Sequence, residues 1–147
     1  MPSPKSQPRL FIPALAGFYD WVRPYCYPLV RFVVGATIIP DGWTKLMGGL
    51  GPVTASMTRI GIVPAGPAAV AVIAIETVGG LCVAIGFLTR FWAAAMAIEM
   101  AVIALDVQWK NGYPRVQQFA LWGILALVIA LRGGGRLSVD RLIGWEL

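Results

Sequence analysis

Four long apolar runs, separated by short polar or glycine- and proline-rich connections, set the pattern of this chain. They cover residues 27–47, 67–88, 91–109 and 116–131. About 20 apolar residues, at a rise of roughly 1.5 Å each, cross the roughly 30 Å hydrocarbon layer of a membrane. A segment that spans lipid must satisfy its own backbone hydrogen bonds, which favours helices here. The pattern therefore predicts an all-α polytopic membrane protein, built as a four-transmembrane-helix bundle.

The connections between the runs add detail. Residues 89–90 alone join the second and third runs and predict a tight antiparallel hairpin, and the sequence KNGYP at residues 110–114 predicts a turn. Within the longer loop of residues 48–65, prolines and glycines bracket a short predicted helix at residues 52–60. Residues 11–25 mix aromatic, apolar and charged side chains, which is typical of a segment lying in the membrane interface.

The chain divides accordingly into three parts. Residues 1–26 form an N-terminal interfacial or cytoplasmic segment, residues 27–132 the transmembrane domain, and residues 133–147 a cytoplasmic tail. With four spans, both termini and the second connection share one side, which carries Lys5, Arg9, Arg23, Arg90, Arg132, Arg136 and Arg141. The other side carries Arg59, Lys110 and Arg115. Because positive residues accumulate on the cytoplasmic side of a membrane, both termini are expected in the cytoplasm.

Composition supports the membrane assignment and excludes several functions. The chain is 58% hydrophobic and 13% charged, whereas an ordinary globular domain is about 25% charged. The net charge of +5 comes without a basic cluster of the kind that binds nucleic acid, so no nucleic-acid partner is expected. The chain has no histidine, and its two cysteines form no CxxC pair, so we expect no haem and no metal site.

Six ionisable residues lie inside the predicted spans, where a charge costs about 2.5 to 3.5 kcal/mol. They are Arg31, Asp41, Lys45, Glu76, Glu99 and Asp106. Helical spacing places Arg31 and Lys45 on one stripe with glycines, Glu76 on a stripe of small residues, and Glu99 with Asp106 on a third. Glycines allow close helix approach, so the three stripes are expected to face a common interior. The fourth span carries only glutamines near one end and is expected to be mainly a packing partner.

The simplest pairing within this interior joins Lys45 to Asp106 or Asp41, and Arg31 to Glu76 or Glu99. Two cations then face four carboxyl groups, so at least one glutamate is expected without a cationic partner and in its protonated form. A carboxyl group of that kind suits quinone or proton chemistry. The alternative is that these pairs only hold the helices in register.

Two sequence motifs resemble the DoxX family of small four-helix bacterial membrane proteins. The first is RFVVGATIIPDGWTKL at residues 31–46, in which Arg31, Gly42 and Lys45 carry the resemblance. The second is IETVGGLCVAIGFLTRFWAAAMAIEM at residues 75–100, in which Glu76 precedes a glycine-rich stretch and a Thr-Arg turn. The resemblance covers about residues 29–131 and implies a multi-pass protein of the bacterial inner membrane.

The resemblance also implies a redox function. Some DoxX-like proteins are membrane subunits of thiosulfate:quinone oxidoreductases, and others are associated with redox-defence assemblies. We therefore expect a subunit of a quinone-linked redox complex, in which Arg31 or Lys45 polarises a quinone carbonyl and Glu76 or Glu99 passes a proton. The candidate catalytic residues are Glu76, Glu99, Arg31 and Lys45. The candidate quinone-binding residues are Arg31, Gly42, Lys45 and Asp106.

Two other functions remain open at this stage. The chain could be a non-catalytic accessory or assembly subunit of a larger energy-transducing membrane complex, because 147 residues leave little outside the membrane for a catalytic site. A small-solute or proton carrier ranks last, since four short helices rarely enclose a pathway without oligomerisation. All three interpretations expect the lipid bilayer as a partner, and the first two expect other membrane subunits.

Overall fold

The computed structural model of the chain describes residues 11–109 and 112–144. All regular secondary structure in this part is helical, which confirms the all-α class. A short 3₁₀ turn at Pro13–Leu15 precedes six helices. They are α1 (Ala16–Gly48), α2 (Leu50–Arg59), α3 (Ala65–Ile85), α4 (Thr89–Gln108), α5 (Tyr113–Arg132) and α6 (Val139–Ile143).

Helix α1 is a single helix of 33 residues, although prolines lie inside it at positions 24, 28 and 40. At roughly 1.5 Å per residue it is about 50 Å long, more than the roughly 30 Å of a hydrocarbon layer. Residues 16–25, which we expected to form a separate interfacial segment, therefore continue directly into the first predicted span. The boundary between residues 26 and 27 is not marked by a break in the helix. Residues 1–10 of that segment lie outside the described residues.

Helices α3 and α4 each contain a π-helical stretch, at Ile75–Gly79 and Ile103–Gln108. Both helices are long and apolar enough to cross a membrane, and they are the two such helices in the described part of the chain. A shorter apolar helical stretch, Val116–Arg132, makes up most of α5. The two helices form the predicted hairpin, but its connection is residues 86–88 and not residues 89–90: α3 ends at Ile85, Gly86 follows with a left-handed φ of 78°, and α4 already begins at Thr89. Residues 110–111 of the predicted KNGYP turn are not among those described.

Packing joins these helices into one bundle, with α1 against α3, α4 against α5, and α2 against the start of α3. Apolar side chains from α1, α3, α4 and α5 form the core, namely Val34, Ile38, Val83, Ala93, Met96, Met100, Ala126 and Ile129. The predicted short helix of the long loop exists as α2, and its Val53 packs with Ala69 and Ile73 of α3.

Glycines allow α1 and α3 to touch along the predicted stripe. A Cβ atom added to Gly35 would lie 2.5 Å from the Ala84 nitrogen, which is a clash with backbone. A Cβ atom added to Gly42 would lie 2.7 Å from Cβ of Glu76. Since backbones can approach this closely only where a side chain is missing, the interior position of the α1 stripe is confirmed.

The segment after α5, which we expected to be a tail, folds back onto the bundle. Asp140 accepts hydrogen bonds at the start of α4, from the backbone nitrogens of Leu88 (2.7 Å) and Thr89 (3.0 Å) and from the Thr89 hydroxyl (2.6 Å). A carboxylate in this position satisfies N–H groups that a helix start leaves free and complements the helix dipole. Residues 133–144 are therefore part of the packed structure, and residues 145–147 are outside the part described.

Candidate functional site

Lys45 of α1 and Glu76 of α3 form an ion pair between the Lys45 ammonium group and Oε1 of Glu76. The Glu76 side chain is 3% exposed and the Lys45 side chain 34%, so the pair reaches from the interior toward the surface. Gly42 lies one helical turn before Lys45 and allows α3 to approach at Glu76. The second oxygen of Glu76, Oε2, is buried and has no hydrogen-bond donor among the described residues.

Glu99 of α4 completes the cluster. It is 7% exposed, and its carboxyl group interacts with the carboxyl group of Glu76 and, electrostatically, with Lys45. Neither of its oxygens finds a donor group within residues 11–109 and 112–144. Three helices thus bring one ammonium group and two carboxyl groups together in a buried place, where an uncompensated charge or an unsatisfied acceptor costs free energy.

The backbone at Glu76 is unusual as well. Glu76 is the second residue of the π-helical stretch Ile75–Gly79. Single π-helical turns inside α-helices are rare and occur frequently at functional sites. The π-helical backbone and the unsatisfied carboxyl oxygen therefore both indicate Glu76 as a candidate functional residue.

A cavity of about 450 Å³ lies beside the ion pair, between α1, α3, α4 and α5. Its wall includes Thr37, Ile38, Asp41, Thr44, Lys45, Glu76, Met100, Ile103, Gln118, Phe119 and Trp122. This volume is in the range of small-molecule sites, which combine mostly apolar walls with a few convergent polar groups. The Thr37 and Thr44 hydroxyls donate to carbonyls of their own helix, so Lys45, Gln118 and the indole N–H of Trp122 are the donors on the cavity wall that can reach a ligand.

Helix α5 contributes more to this cavity than the sequence indicated. We expected it to be mainly a packing partner, yet Gln118, Phe119 and Trp122 form one wall. The spacing of Gln118 and Trp122 by four residues, with Phe119 between them, was a detectable signal because such residues share a helix face. None of these three side chains is charged, so the pattern of ionisable residues does not identify them.

Arg31 lies near the middle of α1, about 21 Å from Lys45 along the helix axis. It is 3% exposed, donates to the carbonyls of Leu137 (2.7 Å) and Gly134, and makes a longer contact of 3.5 Å to that of Ala84. The expected pairing of Arg31 with Glu76 or Glu99 is therefore wrong. The folded-back segment of residues 133–144, which was predicted to be a tail, supplies its two closest acceptors.

The expected pairing of Lys45 with Asp106 or Asp41 is also wrong, because α3 brings Glu76 to Lys45 at the Gly42 contact. Asp41 is exposed and lines the cavity. Asp106 is exposed in the π-helical stretch of α4 and does not line the cavity. Of the predicted site residues, the structure thus brings together Gly42, Lys45, Glu76 and Glu99, and separates Arg31 and Asp106 from them. In the described residues, no group of three or more histidine, cysteine, aspartate or glutamate side chains is arranged to hold a metal ion.

Comparison with known proteins gives one result that bears on identity. The family model for DoxX matches residues 28–109, more than half of the chain. Lys45, Glu76 and Glu99 all lie within the match, whereas the α5 wall of the cavity lies beyond it. No curated protein and no solved structure matches the chain. By the extent of the family match, this chain belongs to the DoxX family and is a membrane protein.

Proposed function

We propose that this chain is the four-span membrane subunit of a quinone-linked redox complex, and that the cavity beside Lys45 binds the quinone head group. The observation that carries the proposal is the cluster of half-buried Lys45 with buried Glu76 and Glu99 at a cavity of about 450 Å³ with an aromatic wall. A quinone head group is a flat ring with two carbonyl oxygens. It needs aromatic or apolar walls, hydrogen-bond donors and a source of protons, and the cavity offers each of them.

In this proposal α1, α3, α4 and α5 each cross the membrane. Helix α1 carries Arg31 and Lys45, which face protein instead of lipid. The lipid-facing side of α5 is apolar, with Leu121, Ile124, Leu127, Val128 and Leu131 exposed. Because the arginines collect at the end of the bundle where Arg31 lies, the positive-inside tendency favours a bacterial inner-membrane protein with both termini in the cytoplasm. The Lys45 cluster then lies toward the opposite face.

Lys45, Glu76 and Glu99 have separate roles in the proposed reaction. Lys45 donates to one quinone carbonyl oxygen and stabilises the negative charge that develops there on reduction. Glu76 orients Lys45 and lines the cavity, while Glu99 lies against Glu76 behind the cavity wall. Glu99 holds a proton and passes it through Glu76 to the reduced quinone. Arg31 and Asp106 have no part in this reaction.

Reduction of a quinone to a quinol takes two electrons and two protons. A partner protein of the complex supplies both electrons, since this chain contains no histidine for a haem of its own. One proton comes from Glu99 through Glu76. The second comes from solvent at the exposed side of the cavity, where Asp41 lies.

Quinone binding by the isolated chain tests the proposal. The protein is purified in a mild detergent, bound quinone is identified after solvent extraction, and a short-chain quinone is titrated while tryptophan fluorescence is followed. Lys45→Met should weaken binding about tenfold or more, because a hydrogen bond from a charged donor is worth about 1.5 to 3 kcal/mol. Arg59→Gln on α2 is the matched control and should bind as the native chain does. If the native chain binds no quinone, or Lys45→Met binds equally well, the proposal is wrong.

A second function, that of a non-catalytic accessory subunit, is favoured by the exposed aromatic residues near the start of α1. Phe18, Trp21 and Tyr25 are all exposed on a helix longer than the membrane is thick. In this alternative they pack on a larger energy-transducing complex. Lys45→Met separates the two functions when the complex is purified from its own membrane: lost activity with intact assembly supports quinone chemistry. Activity that survives deletion of the whole chain supports the accessory function.

A further inference from the structure

Two adjoining cavities lie at the end of the bundle where Arg31 is buried, away from the Lys45 cluster. Each has a volume of about 370 Å³, and both are lined by Arg132, Gly135 and Arg136. Arg23 and Tyr27 line the first cavity, and Arg141 lines the second. We propose that this arginine site, made of Arg23, Arg132, Arg136 and Arg141, binds the phosphodiester group of an anionic phospholipid.

Positive charge at the site is not balanced by the protein. The lining includes two carboxylates, Asp20 and Asp140. Asp140 is buried, and both of its carboxyl oxygens accept hydrogen bonds at the start of α4. Asp20 lies 3.9 Å from Arg23, but the side chains of this pair are 73% exposed for Asp20 and 64% exposed for Arg23. Such exposed pairs contribute little. In the described part of the chain, no carboxylate pairs with Arg132, Arg136 or Arg141. An anion from outside would complete the charge balance.

The site is also held in shape before any ligand arrives. The guanidinium group of Arg132 lies over the ring of Tyr27, with its carbon 4.3 Å from the ring centre. The Tyr27 hydroxyl donates to the Gly133 carbonyl, and Gly135, at a φ of 75°, passes so close to the ring that an added Cβ would lie 2.9 Å from it. A guanidinium group stacked by its face keeps its edge N–H groups free, and these match two phosphate oxygens.

The surroundings favour a lipid over a free phosphate ion. Arg132 is the last residue of α5, directly after Leu131, and Leu127 and Val128 lie one turn earlier on the exposed surface. Leu137 and Leu142, which flank the other arginines in sequence, are exposed as well. A phospholipid would place its phosphate among the arginines and its acyl chains along α5. Basic pockets at the end of membrane helices bind anionic headgroups in this manner. Lipid binding at this site requires only that the chain lies in a membrane and does not depend on quinone binding.

Lipid binding to the purified full chain tests the inference. Phosphatidylglycerol, phosphatidylethanolamine and inorganic phosphate are titrated separately, and bound lipid is counted by native mass spectrometry. The native chain should retain phosphatidylglycerol in preference to phosphatidylethanolamine. Arg136→Gln should lower the affinity for phosphatidylglycerol about fivefold, and the double change Arg132→Gln with Arg136→Gln by more. Arg59→Gln, which removes an exposed arginine of α2, is the matched control and should have no effect.

Arg136→Gln is the decisive variant, because Arg132 also stacks on Tyr27 and its loss could disturb the fold. A thermal unfolding curve equal to that of the native chain confirms that the variant is folded. Equal binding of both lipids, or an equal loss of affinity in Arg59→Gln, would overturn the inference. Displacement of the lipid by millimolar inorganic phosphate would identify a free anion as the ligand and would overturn the lipid assignment.

Discussion

Arg31 and Lys45 lie at the two ends of the glycine-containing stripe of α1, and the buried polar groups around them differ in how many hydrogen-bond partners the protein provides. At the Arg31 end, backbone carbonyls accept from both terminal nitrogens of the guanidinium group, and Asp140 is fully used by the start of α4. At the Lys45 end, Glu76 and Glu99 together leave three carboxyl oxygens without a donor among the residues described, next to a cavity. At the first end, Nε of Arg31 is the one buried side-chain atom without a partner among the described residues, so the fold itself satisfies most of the polar groups there. At the second end, the three unsatisfied carboxyl oxygens can still bind a proton or accept a hydrogen bond from a ligand.

The comparison indicates that burial of a charge is not by itself a sign of function. Arg31 and Glu76 are equally buried, and both interrupt apolar helices. They differ in whether the protein provides their partners. A buried polar group that is left unsatisfied costs about 1 to 3 kcal/mol, so it persists most readily where a function uses it. Substitutions at the Arg31 end should therefore lower the stability of the fold, and substitutions at the Lys45 end should alter quinone binding and reduction.

The largest effect is expected from Asp140→Ala. The change removes the acceptor for two backbone N–H groups and one hydroxyl at the buried start of α4. Because those donors would remain buried without partners, the free energy of unfolding should fall by about 3 kcal/mol. Denaturant unfolding in detergent micelles measures this. Asp20→Ala, at an exposed aspartate, is the control, and an equal loss in both variants would mean that Asp140 has no special role at this end.

A somewhat smaller effect is expected from Gly42→Ala, which acts between the two ends. The added Cβ would meet Glu76 at 2.7 Å and Thr77 at 2.8 Å, so α1 and α3 must move apart. Overpacking of this kind costs about 1 to 3 kcal/mol. The displacement should also weaken quinone binding, because it separates Lys45 from Glu76. Thermal unfolding and quinone titration measure the two effects.

Gly17→Ala provides the control for that change, since Gly17 lies in the same helix with nothing within 4 Å of an added Cβ. Alanine there should be neutral or should stabilise α1 by up to about 1 kcal/mol, because it favours the helix. If both glycine variants behaved alike, close contact of α1 with α3 at Glu76 would not be a property of the protein in solution.

Glu99→Gln should change chemistry while leaving the fold intact. The amide keeps the shape of the side chain and supplies a donor to Glu76, so the free energy of unfolding should stay within about 1 kcal/mol of the native value. The proposed proton is removed with the carboxyl group. The infrared band of a buried protonated carboxyl should therefore be present in the native chain and lost in the variant.

In the complete complex, the same variant should still bind quinone but should reduce it about a hundredfold more slowly, since a positioned proton donor contributes roughly that factor. Glu99→Asp, which retains a carboxyl group, should restore part of the rate. A native chain without the infrared band would contradict the assignment of the proton to Glu99, even if quinone binding were intact.

Much of the fold could be predicted from the sequence because it follows from local patterns. The apolar runs predicted the long helices, the Thr-Arg connection predicted the hairpin, and glycine spacing predicted the contact of α1 with α3 at Gly35 and Gly42. The number of spans and their orientation stay predictions. The π-helical stretch at Glu76 has no comparable sequence signal, because it results from a one-residue shift in hydrogen bonding inside an otherwise regular helix.

The partners of the buried charges were less predictable than the charges themselves. Arg31 binds carbonyl groups more than 100 positions away in sequence, and backbone acceptors cannot be read from side-chain patterns. The segment that supplies them, residues 133–144, is glycine-rich and polar, so composition suggested a tail. The Lys45 to Glu76 pair likewise depends on which helix is adjacent, which spacing within a single helix does not determine.

The smallest effect is expected from Asp106→Asn, although the sequence placed Asp106 among the quinone-binding residues. The residue is exposed and does not line the cavity, so stability should change by less than about 0.5 kcal/mol and quinone affinity should be unaltered. Parallel titrations of Asp106→Asn and Asp41→Asn measure this. Asp41 lines the cavity, so only Asp41→Asn should alter binding. If Asp106→Asn weakened binding instead, the quinone site would follow the helix face shared by Glu99 and Asp106 and would not be the cavity beside Lys45. Quinone would then bind nearer to the π-helical end of α4.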